Sequence, residues 1–170
     1  MLPLQDVVPT RQIPLATLAL MGVNVVVFGA QRVGVIGADA ARPFVQAGSV
    51  GLLLALLFLW LFGDNVEARL GRITLVGIYL LGGLVAWPGG AGAVTAVLGA
   101  YFMLLPRSRV LTLAPVPEVL MEVPAVFFLA TWAMLHIVLL AREPEALIAL
   151  ALAFAAGAVI ARVRRRQIIW

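Results

Sequence analysis

The chain has no cysteine and no lysine, a single histidine (His136) and two serines (Ser49 and Ser108). Without cysteine there are no disulfides and no thiolate metal sites. One imidazole alone builds no metal cage, so no metal is expected. Asp, Lys and Arg are absent from the centre of every long apolar run, and Glu122 falls near the inner end of the fifth. That pattern argues against an intramembrane aspartyl protease and against a proton-coupled transporter, because both need buried ionisable groups.

What the chain has in abundance is apolar residues: 64% of 170 residues, with a mean hydropathy of +1.10. This composition belongs to integral membrane proteins. Six apolar runs approach the ~20 residues that cross a bilayer as helix, at about 13–31, 46–62, 73–87, 91–106, 120–141 and 146–162. Runs three and four are divided only by Pro88, Gly89 and Gly90, which read as a tight turn between two spans. The first run reads as a span and not a cleaved signal, since a Pro-rich segment precedes it and no convincing Ala-x-Ala site follows.

Arginine sets the orientation. With both termini in the cytoplasm, the inner segments hold Arg11, Arg69, Arg72, Arg107, Arg109, Arg162, Arg164, Arg165 and Arg166, and the outer ones hold only Arg32, Arg42 and Arg142. This asymmetry follows the positive-inside rule for a six-span, N-in and C-in membrane protein. The pI near 11.0 reflects a net charge of only +4, and topology accounts for where the arginines sit, so nucleic acid is not an expected partner. Arg162, Arg164, Arg165 and Arg166 follow a span directly and are expected to meet anionic lipid headgroups.

The most informative stretch is Gly89-Gly90-Ala91-Gly92-Ala93-Val94-Thr95-Ala96-Val97-Leu98-Gly99-Ala100-Tyr101. It resembles the active-site helix of the rhomboid family of intramembrane serine proteases, whose motif reads Gly-x-Ser-Gly and runs on to Leu-Gly-Ala-Tyr. Other blocks resemble the family in the same order. They are the lead-in Leu2 to Asp6 with Pro9-Thr10-Arg11 and Pro14, then Asn24 to Phe28, Leu57 to Glu67, Tyr79 to Leu84, Pro106 to Val110 and Phe154 to Gly157. The resemblance implies an all-α membrane protein, a six-transmembrane-helix rhomboid-like bundle forming one domain over 1–170. Its first loop, Arg32 to Pro43, is much shorter than the family's membrane-dipping loop.

A rhomboid works with a serine on span four and a histidine on span six that takes the hydroxyl proton, because a free serine is a weak nucleophile. An asparagine and a second histidine on span two help to hold the oxyanion. Matched motif by motif, the nucleophile's place is held by Ala91 and the base's by Leu150, while Gly51 and Ala55 stand where the oxyanion donors belong. None of these four side chains can do the chemistry, so the resemblance implies a degenerate site with no catalytic residue. The turn after span two reads as a helix closed by Gly63 in the left-handed conformation, followed by a capping box of Asp64 and Glu67 on a short surface helix carrying Arg69 and Arg72.

Small residues recur every fourth position at Gly92, Ala96 and Ala100 on span four and at Ala149, Ala153, Gly157 and Ala161 on span six. Such spacing lets helix backbones approach closely in lipid, and the two seams are expected to face each other. Asn24, Thr95, Tyr101 and Thr131 are expected to make hydrogen bonds between helices. His136 lies near the middle of span five. A neutral imidazole there can ligate a haem iron or a chlorophyll magnesium, or can simply bond a neighbouring carbonyl or Thr131. A dyad of Ser49 with His136 has no geometric support in the sequence.

Three functions follow as expectations. The leading one is an inactive rhomboid-like protein acting as a structural or accessory subunit of a hetero-oligomeric membrane complex, or as a binder of transmembrane clients. The alternatives are an active intramembrane hydrolase with other catalytic residues, and a pigment- or haem-binding subunit using His136.

Overall fold

The structure, a computed structural model, describes residues 2–6, 13–37, 39–86, 89–115 and 118–168, with backbone alone described at 2–6, 40, 112–121 and 165–168. Helices dominate. In chain order they are α1 (Leu15–Arg32), a 3-10 turn (Asp39–Phe44), α2 (Ser49–Phe58), a π turn (Leu59–Gly63), α3 (Asp64–Leu70), α4 (Arg72–Val85), α5 (Gly89–Leu104), α6 (Ala125–Leu139) and α7 (Pro144–Ile168). Among the described residues, three stretches are long and apolar enough to cross a bilayer: Leu15–Arg32, Ser49–Leu70 and Pro144–Arg164. The apolar helices α4, α5 and α6 have 14, 16 and 15 residues. At 1.5 Å per residue they reach about 21–24 Å, short of the ~30 Å hydrocarbon core.

A small antiparallel sheet accompanies the bundle, in the order β1 (Leu2–Asp6), β2 (Arg109–Pro115), β3 (Glu118–Pro124). The ladder pairs Leu111 with Glu122 and Leu113 with Leu120 across the hairpin, and Leu2 with Leu113 on the other side. Here the sequence expectation is corrected. The apolar run beginning at 120 is not helical until Ala125. Val119, Leu120, Met121 and Val123 are apolar enough for a span, but Glu118 and Glu122 break them up, and Pro124 biases the residue before it toward extended backbone.

The second span also ends differently from expectation. Gly63 is right-handed (φ −64, ψ −42), and the chain passes through the π turn into α3 without a break. Asp64 and Glu67 form no capping box, since α3 has no side-chain cap. The turn falls eight residues later at Gly71, whose φ of 83 favours glycine and closes α3. Gly63 is small for another reason. A Cβ there would stand 2.9 Å from Thr17 Cγ2, so glycine lets α1 lie against the π turn.

Glu67 acts at long range. Its Oε1 accepts from the Ala16 N–H (3.0 Å), and its Oε2 accepts from the Thr17 N–H (2.8 Å) and the Thr17 hydroxyl (2.9 Å). These are the second and third residues of α1, whose N-cap, Pro14, offers no side-chain acceptor. A carboxylate from another helix therefore does the work of a cap, and its charge complements the positive end of α1. Arg72, at the start of α4, neutralises it at 3.4 Å.

A second polar knot joins α1 to α4. Asn24, fully buried, donates to the Leu20 carbonyl (2.7 Å) and meets the Tyr79 hydroxyl at 2.8–3.0 Å. Gln46 donates its amide to Asn24 Oδ1 at 2.7 Å. Asn24 thus bonds between helices as expected.

We predict that Glu67→Gln lowers stability by about 1–3 kcal/mol, because a charge-assisted acceptor of two helix N–H groups is weakened. Thermal or denaturant unfolding in detergent reads this, and an unchanged midpoint would show that the cap contributes nothing.

Candidate functional site

Helix α5 is the axis of the bundle. From Gly89 to Leu104 it leaves only Ala91, Phe102 and Met103 outside the buried set. It packs most extensively against α7, then against α4. The closeness comes from glycine. A Cβ at Gly157 of α7 would collide with the Ala96 carbonyl oxygen and stand 2.7 Å from its carbon, and one at Gly99 would collide with the Phe154 carbonyl oxygen. On the other side, a Cβ at Gly82 of α4 would stand 2.5 Å from Ala96 Cβ and 2.6 Å from the Gly92 carbonyl oxygen.

The seam residues are thus shared out. Ala96 and Gly157 meet, and Ala100, Ala153 and Ala161 are buried. Gly92 departs from expectation. A Cβ there would meet the Gly82 carbonyl of α4 and Ala86 just past its end, not α7. Ala149 is half-buried and borders an outer groove with Arg42 and Arg142. Gly99 was not on the sequence seam, although its contact with Phe154 is among the tightest. It sits three residues after Ala96, outside the strict four-residue spacing.

The mouth of α5 is covered by the short first loop. The Gly90 N–H donates to the Val45 carbonyl at 2.9 Å. Cβ atoms at Gly89 and Gly90 would run into the Arg42 carbonyl oxygen and the Gln46 amide. The loop therefore rests its backbone and the Gln46 side chain directly beside Ala91. Nothing in the sequence pattern flagged Gln46, yet an amide at the entry to an apolar run is a usable signal.

Ala91 begins the second half of the first turn of α5 and is half-buried. Leu150 on α7 is 7% exposed, and Ala55 on α2 is fully buried. Gly51, near the start of α2, meets only ordinary contacts, its nearest being Ala47 at 3.8 Å. The four positions carry no side-chain oxygen or nitrogen, so this end of the bundle offers neither nucleophile nor base from them.

The nearest hydroxyl on α5 is Thr95, one turn below Ala91. It donates to the Ala91 carbonyl (2.7 Å) and accepts from the Trp132 indole N–H (2.9 Å). This is the polar tie between α5 and α6. Trp132 also stacks on Phe58 of α2, with ring centroids 4.7 Å apart. Of α6, only Ala125 and Trp132 are buried. His136 places Nδ1 3.0 Å from the Trp132 carbonyl oxygen and its ring 4.4 Å from the indole. Thr131 does not bridge helices as expected. Thr131 bonds the Phe127 carbonyl of its own helix (2.9 Å), and Tyr101 meets Ser108 just past the end of its own (2.6 Å). Ser49 is held by Arg32 at 3.4 Å. Neither serine bonds His136.

Between α5, α6 and α7 lies an open groove of about 530 Å³. Thr95 and Phe102 form its floor, Trp132 and His136 one wall, Leu150 and Phe154 the other. It is almost wholly apolar. Toward the C-terminal end of α7, Arg162 and Arg164 are exposed, while the side chains of Arg165 and Arg166 lie outside the described residues, as does Arg11.

A helical bundle with apolar outer faces, wrapped around a glycine-lined central helix, defines an integral membrane protein. The family description "Rhomboid domain" matches residues 40–167. The chain belongs to the rhomboid family. No match was found among curated proteins or among solved structures.

Enlarging Gly157 tests the central contact. Gly157→Leu should push α7 off α5 and lower stability by roughly 1–3 kcal/mol or more, read as the unfolding midpoint in detergent. Wild-type stability in this variant would mean that the helices do not meet there.

Proposed function

We propose that this chain is a catalytically inactive rhomboid-like protein that serves as a structural or accessory subunit of a larger membrane complex. On this reading it crosses the bacterial cytoplasmic membrane six times, with both termini inside. The observation that carries the proposal is the pair Ala91 and Leu150, which occupy the positions where the family places nucleophile and base. Acyl transfer needs a hydroxyl bonded to a base and donors aimed at the oxyanion. Gly51 and Ala55 supply no such donors. Thr95 is bonded to the Ala91 carbonyl and the Trp132 indole, and His136 to the Trp132 carbonyl, not to each other.

The bundle itself is kept. The packing of α5 on α4 and α7, the Glu67 cap and the loop over Ala91 all serve shape and need no hydroxyl. Apolar side chains on the outside, among them Val25 and Val26 on α1, Met134 and Val138 on α6, and Leu152 and Val159 on α7, are exposed. These faces offer contact to lipid tails and to partner helices without unpaired polar groups. Arg162 and Arg164 would hold anionic headgroups on the inner side. Transient engagement of transmembrane clients uses the same faces and is the weaker form of the same role.

Two measurements test this. A fluorophosphonate probe should leave the purified protein unlabelled, and specific labelling lost on changing Ser49 or Ser108 would overturn the inactive reading. Extracted from native membrane in mild detergent, the protein should run with another chain at fixed stoichiometry. A free monomer would refute permanent membership of a complex and leave client binding.

A further inference from the structure

We propose that the groove where α7 begins binds the headgroup of one zwitterionic phospholipid, a phosphate diester carrying a primary ammonium, as in phosphatidylethanolamine. Arg42 and Arg142 take the phosphate, and Glu143 and Glu145 the ammonium. Such a site needs only the chain's place in a membrane and not the accessory role.

The groove carries charge of both signs. Arg42 comes to it from the first loop, Arg142 and Glu143 from the turn between α6 and α7, and Glu145 from the first turn of α7. All four residues are exposed. Among the described residues, the side chains of Arg142, Glu143 and Glu145 form no ion pair. Opposite charges thus share one groove without closing on each other. A plain anion there meets the arginines and is repelled by the carboxylates. A plain cation faces the reverse. A ligand that carries both charges a few bonds apart sets each against its opposite.

Depth makes that ligand a lipid. The stretch Pro144–Arg164 is long and apolar enough to cross a bilayer, so Pro144 stands near one edge of the hydrocarbon. Arg142, Glu143 and Glu145 flank it at that edge. Ala146 and Ala149, both half-buried, continue the groove down α7. At 1.5 Å per residue, Ala149 lies about 7.5 Å along the helix from Pro144. The wall is therefore charged at headgroup level and apolar just below it, as a phospholipid is.

The carboxylates choose among headgroups. A primary ammonium gives them N–H donors, whereas the quaternary ammonium of choline has none. A glycerol headgroup offers the phosphate with no cation.

Native mass spectrometry of the delipidated protein in detergent tests the assignment, with dioleoyl lipids of these three headgroups. The ethanolamine lipid should bind about 3–10-fold more tightly than either other, the worth of one charge-assisted hydrogen bond at an exposed site. E143Q/E145Q keeps the shape and removes the carboxylates, so ethanolamine should fall to the level of choline. R142Q should weaken all three lipids. R162Q/R164Q, toward the other end of α7, should leave the ethanolamine preference in place. Equal binding of the three lipids by the wild type would overturn the site without recourse to any variant, and so would a preference that survives E143Q/E145Q. A preference lost in R162Q/R164Q would put the lipid at the wrong end of α7. Displacement of the lipid by water-soluble glycerophosphoethanolamine would overturn the lipid as occupant.

Discussion

Everything in this bundle depends on how closely α5 lies to its neighbours. In lipid, apolar surface gives helices no reason to leave the hydrocarbon for one another, so association must come from dispersion contacts and a few hydrogen bonds. Both fall steeply with distance. Gly157 against the Ala96 carbonyl, Gly99 against the Phe154 carbonyl and Gly82 against Gly92 bring α5 backbone to backbone with both α7 and α4. With α5 fixed between α4 and α7, the remaining helices find their places from its ends and from its third side.

The ends are fixed by polar groups reaching across the chain. Glu67 and Thr17 are fifty residues apart in sequence, yet this one carboxylate anchors the start of α1. The Asn24–Tyr79–Gln46 knot does the same where α1 crosses α4, and its third member belongs to the loop that lies over Ala91. A single segment, Arg42 to Gln46, therefore ties α1 and covers the mouth of α5. The third side of α5 is different. There α6 is held by Trp132, Ala125, Phe128 and Leu129, and the groove opens beside it.

How much of this the sequence disclosed follows from the range of each interaction. Helical character was legible in the apolar runs, three of which are long enough to span among the described residues, and the small residues Ala96 and Gly157 turn out to meet. Local turn chemistry misled at Gly63, because a glycine beside Asp and Glu looks the same whether it ends a helix or admits a neighbouring helix. Thr17, which decides between the two, is remote in sequence. The strand Glu118–Pro124 was hidden for a simpler reason: a short apolar run carries no period that separates strand from span. Gly92 was assigned to the wrong neighbour because spacing fixes a stripe but not the partner that covers it. Of the candidate site, the apolar side chains at Ala91 and Leu150 were legible, whereas the Thr95–Trp132 tie and the loop over Ala91 require the fold.

The same physics explains why a rhomboid bundle can stand without polar groups at these positions. A hydroxyl, two imidazoles and an amide buried near one another in a membrane each need partners, and any left unmatched costs free energy. An active enzyme must carry that cost, since donors aimed at a transition state are by design unfilled in the resting state. On the proposed reading, with Ala91, Leu150, Gly51 and Ala55 at those positions, the requirement vanishes. Here the Gln46 amide is matched by Asn24, the Thr95 hydroxyl by Ala91 and Trp132, and His136 Nδ1 by a carbonyl.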